Sequence, residues 1–476
     1  MDRPDPSELQ KVVDFAAREA GEYLNTLADR PVRSPRADEV AASFGGPLRD
    51  EGIGAVQALE ELVAGFDAAV HSAGPKFFHF VDGGVTPAAL GADWLASTTD
   101  QNPGAWVSTP LAARLEQVSI EWLKDLFGLP ASMGGVLTTG ATMANFVALA
   151  CARRWCAERA GIDVDEVGLA GAPPITVLGG GYTHPSDIKA LGMLGLGRAR
   201  VRKIARDIVG RVDLEAMEAA LRDLDGAPAI VIGSAGEVNA GDFDPLNNMA
   251  DLAERYGAWF HVDGAFGLFA ALSPRTQHLV AGVDRADSVI ADGHKWLNVP
   301  YENGFAFVRD QALLPAVFGG AGAAYLPDVD EPQPNWGYRG PEMSRRARSF
   351  PVWATLRAYG RDGHRAIVEH DLDLAQRLAG TVDAAPDLER LADVPLNVVC
   401  FRYRPAGSDD GPELDDLNRR IGEAAIVDGR VFFGSTVYGG RVAFRPAIVN
   451  WRSREQDVDL VAQVVRELGA RFSTES

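Results

Sequence analysis

Three cysteines in 476 residues leave little room for covalent cross-linking. Cys151, Cys156 and Cys400 are scattered, without the pairing or neighbouring His of a zinc site, so no metal is expected. They read as reduced structural thiols of a cytoplasmic protein. No stretch reaches the about 18 uninterrupted apolar residues of a membrane helix. The opening MDRPDPSELQ lacks the apolar core of a signal peptide. Positive charge is in deficit: 46 Lys and Arg stand against 66 Asp and Glu, a formal charge of −20. Nucleic acid and anionic membrane reward clustered cations, so neither is an expected partner. Two phosphate signatures are also missing, the G-x-G-x-x-G of dinucleotide sites and the Gly-Lys-Ser/Thr of a Walker loop.

What remains is the composition of an enzyme for small molecules, with a chain long enough for more than one domain. Residues 7–29 predict an amphipathic helix, and a second is expected over 50–70. Two helices and a Pro-rich link form no core of their own, so the arm 1–70 must pack on something larger, such as a second subunit. From 71 to 345, short β-rich runs alternate with helical stretches. ITVLGGG, ARVRKI, AIVIGSAG, WFHVDGA, SVIADG and GFAFVRD read as strands of a mostly parallel sheet covered on both faces. The stretch 319–343, dense in Gly, Pro and Asp, reads as a long mobile loop. Residues 346–476 open with a helix and then alternate strand and helix, as a smaller C-terminal domain would.

Ligands of such sheets bind beyond the carboxyl ends of the strands. In TTGATMAN, Ala141 and Thr142 sit at a strand-to-helix turn, where free N–H groups and the helix dipole suit a phosphate. Without a ligand the same residues make an ordinary turn. His184 follows an apolar run, and taken alone is an ordinary loop histidine. Asp263 ends an apolar strand, with Ala265 two residues on keeping one face slim enough for a flat ring. Lys295 comes 32 residues after Asp263, one helix-and-strand unit later and so at the end of a neighbouring strand. A lysine against an apolar wall loses its charge readily and forms Schiff bases with carbonyl compounds. Phosphate turn, ring-sized gap, acid and amine each answer one part of pyridoxal 5'-phosphate.

Seven blocks carry a resemblance, in order: PKFFHFVDGG, TPLAARLEQVSIEWLKDLFGLP, GGVLTTGATMANFVAL, THPSDIKALGMLGLG, HVDGAFG, DGHKWLNVPY and SRRARSFPVWATLRAYGRDG. The chain resembles the group II pyridoxal-phosphate-dependent amino acid decarboxylases, which include those acting on aromatic amino acids. The resemblance implies an α/β fold of the aspartate aminotransferase-like type I, and a homodimer with shared active sites. It also implies that an amino acid is decarboxylated to its amine and CO2. By position, Lys295 would hold the cofactor aldehyde, Asp263 would pair with the ring nitrogen, and His184 and Ala265 would lie on either side of the ring. Ala141, Thr142 and His294 would hold the phosphate. Asp292 stands where the family usually has Asn, and as an ionised acceptor it cannot donate as Asn does.

The family returns a proton to Cα from a loop Tyr. Counting back from Arg345 and Arg346, that position holds Trp336, with Tyr338 and Tyr325 nearby; Tyr338 is the preferred donor. Without such a Tyr the same scaffold could serve as an oxidative deaminase, aldehyde synthase, transaminase or C–C bond-forming enzyme. Phe77, Phe80 and Trp106 match positions near the substrate pocket, Trp106 from the second subunit, and favour an aromatic or apolar side chain. Arg445 matches an arginine that would face the carboxylate or support the loop; a structural ion pair explains it equally well.

Overall fold

The computed structural model describes residues 6–48, 50–319 and 333–474. Seven strands build the central sheet: β1 (Gly134–Thr138), β2 (Thr176–Gly179), β3 (Val201–Lys203), β4 (Ala229–Ser234), β5 (Trp259–Asp263), β6 (Ser288–Asp292) and β7 (Gly304–Val308). Their order is β1-β7-β6-β5-β4-β2-β3. The pairs β2/β3, β2/β4, β4/β5 and β5/β6 are parallel, whereas β7 runs antiparallel to both β6 and β1. The expected mostly parallel sheet is therefore present. Strands β1 and β4 to β7 are buried along their whole length, which is why they read as continuous apolar runs rather than alternating ones.

Helices cover the sheet and extend from it: α1 (Leu9–Thr26), α2 (Ala55–Ala64), α3 (Pro87–Thr99), α4 (Pro110–Phe127), α5 (Ala141–Arg159), α6 (Pro185–Met193), α7 (Leu214–Arg222) and α8 (Leu246–Tyr256). The link from β5 to β6 differs from the helical unit expected. It is a string of three 3-10 turns, Gly267–Leu272, Gln277–Val280 and Val283–Arg285, too short in each piece to close an α-helical face. Even so, β5 and β6 are neighbours, with Asp263 opposite Ile290, so the acid and the lysine reach adjacent strand ends.

A helix of 36 residues, α9 (Ser349–Ala384), breaks its helical geometry at Gly360 (φ 60°) and packs across α3 and α4. Beyond it lies a second, antiparallel sheet, with β8 (Leu388–Arg390), β9 (Phe401–Tyr403), β10 (Ser435–Tyr438) and β11 (Arg441–Phe444) in the order β10-β11-β9-β8. Helices α10 (Pro412–Asp428) and α11 (Glu455–Thr474) pack with this sheet around a separate apolar cluster that includes Phe401, Ile421, Phe444 and Val465.

In the expected loop, residues 320–332, Tyr325 among them, lie outside the described residues. The part that follows is buried rather than exposed. Trp336–Tyr338 form a 3-10 turn whose Trp336 indole donates to the Ala113 carbonyl at 3.0 Å. The three cysteines are buried and free, and burial pushes the thiols of Cys156 and Cys400 up to about 12. Among the described residues no helix is long and apolar enough to cross a membrane, and no group of His, Cys, Asp and Glu could hold a metal.

Candidate active site

Past the carboxyl ends of β4 to β6 lies a cavity of about 190 Å³. Its wall includes Phe80, His184, Asp263, Ala265, Lys295 and Arg445. Six residues spread over more than 360 positions of sequence thus meet at one place, beyond the carboxyl ends of the strands, where an open α/β sheet binds its ligand.

Lys295 follows β6 by three residues. Its backbone is gripped from two sides. The Gly83 amide donates to the His294 carbonyl at 3.1 Å, and a Cβ at Gly83 would stand 1.6 Å from the Lys295 carbonyl oxygen. Trp296 is 1% exposed and donates its indole N–H to Asp371 at 2.7 Å, anchoring the segment in the core. Lys295 Nζ lies 3.1 Å from Asp292 Oδ2 and 5.9 Å from the centre of the Phe266 ring.

Asp263 sits in a directional hydrogen-bond chain. The Trp259 indole donates to Ser288 Oγ at 2.9 Å, which leaves the Ser288 hydroxyl free to donate to His261 Nδ1, also at 2.9 Å. Asn145 Oδ1 can only accept, so His261 carries its proton on Nε2, 3.1 Å away. The Asn145 amide then points Nδ2 at Asp263 Oδ2 (3.2 Å) and Ser186 Oγ (3.3 Å). The second Asp263 oxygen accepts the Ala265 amide at 3.0 Å. With both oxygens held, the carboxylate has one orientation.

The same chain fixes His184. It caps α6, taking the Ser186 amide on Nδ1 at 3.2 Å, so its proton also resides on Nε2. Burial lowers its pKa, and the Lys295 and Arg445 charges add to that against Asp263, so the ring is neutral at pH 7. His294 is likewise held below the usual imidazole range, first by burial.

The residues expected at the phosphate end lie together at the start of α5, outside the cavity wall, with the Ala141 amide taken by Asp292. Gly140 (φ 133°) opens the helix, and Gly304 packs so closely on it that a Cβ there would lie 2.6 Å from the Gly140 Cα. Ala141 gives its amide to Asp292 Oδ1 at 2.5 Å, and His294 Nε2 lies 3.6 Å from Asp292 Oδ2. Thr142 stands beside them at the second position of the helix. The residues present are of the types pyridoxal phosphate requires: His184 and Ala265 share a cavity wall with an acid, Asp263, and a lysine, Lys295, and a helix N-terminus with an imidazole lies nearby.

Not every expected residue reaches this cavity. Phe77 is buried in a two-residue strand and stacks on Phe432 at 5.3 Å. Trp106 and Tyr338 are absent from the cavity wall and belong to one unit elsewhere. The Trp106 amide donates to Asn335 Oδ1 at 2.9 Å and the Gly337 amide to the Gly104 carbonyl at 3.0 Å. Arg445 reaches the wall, with Nη1 at 3.4 Å from the Val238 carbonyl.

Asn145, Ser186, His261 and Glu237 were missed. Two of them had a readable signal: Asn145 is four residues after Ala141, on the same helix face, and His261 is two before Asp263, on the same strand face. Glu237 lines the cavity, with burial raising its carboxyl pKa, and accepts the amides of Asn239 and Ala240 at 2.8 and 2.9 Å.

The pyridoxal-dependent decarboxylase conserved domain matches residues 59–404. The chain belongs to the pyridoxal-phosphate-dependent decarboxylase family. It is 29% identical over 414 residues to an aromatic-L-amino-acid decarboxylase of Bacillus atrophaeus, covering 86% of this chain and 84% of that one. It is 32% identical over 436 residues to an L-2,4-diaminobutyrate decarboxylase of Rhizobium meliloti, covering 89% and 84%. The solved structure of Oryza sativa TDC with PLP and tryptamine superposes with a TM-score of 0.89 at 24% identity, over 99% of both chains. As a member of this decarboxylase family, the protein is a carboxy-lyase that uses pyridoxal phosphate, on the type I fold.

Proposed function

We propose that the chain decarboxylates an L-amino acid with an aromatic or apolar side chain, giving the amine and CO2, with Lys295 as the residue that binds the cofactor aldehyde. The observation that carries this reading is the convergence of Lys295, His184, Ala265 and a doubly held Asp263 on one cavity. The cofactor, when bound, supplies the electron sink that makes loss of CO2 possible. The protein supplies orientation and charge. Asp263, fixed by Asn145 and the Ala265 amide, is the carboxylate that would pair with the ring nitrogen. Neutral His184 would cover one ring face, and the small Ala265 would leave room at the other. Phe80 and Phe266 offer aromatic surface to the substrate side chain, and Arg445 is the cation available to its carboxylate.

The active assembly in this reading is a homodimer. An apolar groove of about 430 Å³ runs between the arm and the body, lined by Phe15, Tyr23, Leu62, Phe66, Leu90 and Trp94. Val107, Leu111 and Met343 are 81%, 60% and 43% exposed around the unit that carries Trp106 and Tyr338. A second subunit laid over these surfaces buries them and brings Trp106 and Tyr338 to the neighbouring cavity, with Tyr338 as the proton donor. Three free thiols fit a cytoplasmic location.

The test is a screen of the purified holoprotein against the common L-amino acids, measuring CO2, amine, aldehyde and ammonia together. Equal CO2 and amine from an aromatic substrate supports the reading. Aldehyde with ammonia would assign an oxidative deamination instead, and turnover confined to acidic amino acids would overturn the substrate class.

A further inference from the structure

Asp292 introduces a charge that the proposed reaction does not call for. It is 2% exposed, and its two oxygens are fully engaged. Oδ1 accepts the Ala141 amide at 2.5 Å, and Oδ2 lies 3.1 Å from Lys295 Nζ and 3.6 Å from His294 Nε2. One carboxylate therefore spans the positive end of α5 and the cavity's lysine. It stands close to the helix start, where a Cβ on Gly140 would lie 3.4 Å from Oδ1 and 3.0 Å from the His294 ring.

The first turn of α5 can be accounted for amide by amide. Ala141 is spent on Asp292, while Met143 and Ala144 both donate to the Gly140 carbonyl. Among the described residues nothing accepts from the Thr142 amide or engages its hydroxyl. An incoming phosphate thus finds Thr142 and His294 as donors, and a fixed negative charge immediately beside them. Asp82 adds a second acid to the neighbourhood. Its pKa is raised by burial, and it accepts the hydroxyl of Tyr301, whose ring stacks on His294 at 4.3 Å. Lys295 is the compensating cation, and it is the group the cofactor aldehyde would engage.

We propose that Asp292 is a specificity-determining residue of the cofactor site: a built-in anion that competes with the cofactor's phosphate for the α5 N-terminus. Its consequence is a weaker hold on the phosphate-bearing cofactor than an amide at the same position would give. This rests on the reading that the phosphate is held at α5 and goes beyond it, because that reading alone assigns Asp292 no sign of effect. An Asn side chain keeps an oxygen for the Ala141 amide, so the helix cap survives, and replaces the charge with a donor.

The experiment titrates the apoprotein and its Asp292→Asn variant with pyridoxal phosphate and, separately, with pyridoxal, following the visible absorbance of the bound aldehyde. The readout is the ratio of the two dissociation constants within each protein, which a general loss of stability does not move. In the variant the preference for the phosphorylated form rises about tenfold or more, within the range that one like charge at ~4 Å produces between bulk water and the protein surface. Asp292→Ala, which removes both cap and charge, shifts the ratio in the same direction. An unchanged or reduced preference in Asp292→Asn overturns the proposal while leaving the proposed function standing. A wild-type chain that binds neither aldehyde overturns both.

Discussion

At Asp263 a single carboxylate is oriented by groups drawn from three elements, and the account stands on that orientation. Asn145→Ala removes the donor to Asp263 Oδ2 and the acceptor for His261 Nε2 together. A buried polar group left unpaired costs about 1–3 kcal/mol, so kcat is expected to fall about tenfold to a hundredfold. The absorbance of the bound cofactor shifts and KM changes less. Steady-state kinetics with an absorbance spectrum check this, and an unchanged kcat would remove Asn145 from the site. Gly83→Ala tests the grip on the lysine. The added Cβ meets backbone at 1.6 Å, which no rotamer relieves, so a loss of about 1–3 kcal/mol or more in unfolding free energy is expected. Denaturant unfolding measures it. At this scale Lys295 and Asp263 were legible because each ends an apolar run. Asn145 and His261 carried the right spacing, but their partnership depends on β1, β7, β6 and β5 lying side by side, an order that no local pattern encodes.

Strands that are buried on both faces announce themselves as unbroken Val, Ile and Phe runs, and β4 to β7 were legible for that reason. The 3-10 link between β5 and β6 was not, since its short apolar pieces resemble helical turns. One element carries its own titration. Asp244, just before α8, accepts the Ser234 amide at 2.9 Å and so pins the end of β4 beside the cavity. Burial raises its carboxyl to about 7, with Asp242 and Glu237 adding to the shift. A folded pKa above the unfolded value of about 3.9 means that this carboxyl's contribution is complete below that value and is lost as pH rises through about 7. Asp244→Asn keeps an acceptor and removes the titration. Melting temperatures from pH 5 to 8 should therefore fall more steeply in the wild type than in the variant. Parallel pH curves would contradict the assignment.

Across the whole molecule the proposed functional unit is larger than one chain. The arm helices α1 and α2 form one wall of an apolar groove. Trp106 and Tyr338, joined through Asn335, lie off the cavity of their own subunit. Chains carrying Lys295→Ala and chains carrying Trp106→Ala, unfolded and refolded together, should regain turnover that neither has alone, because one site of the mixed dimer keeps both residues. Activity assays of the mixture check this, and a mixture as inactive as its parts would place Trp106 in its own subunit's site or outside any. The central claim is that the Lys295 amine holds the cofactor for decarboxylation. Its most direct measurement is release of CO2 from a carboxyl-labelled aromatic amino acid by wild type and by Lys295→Ala, each with its visible spectrum. The account predicts CO2 matched by amine in a coloured wild type and neither product in a folded variant lacking the cofactor's lysine-bound absorbance. CO2 released at the wild-type rate by Lys295→Ala would contradict it.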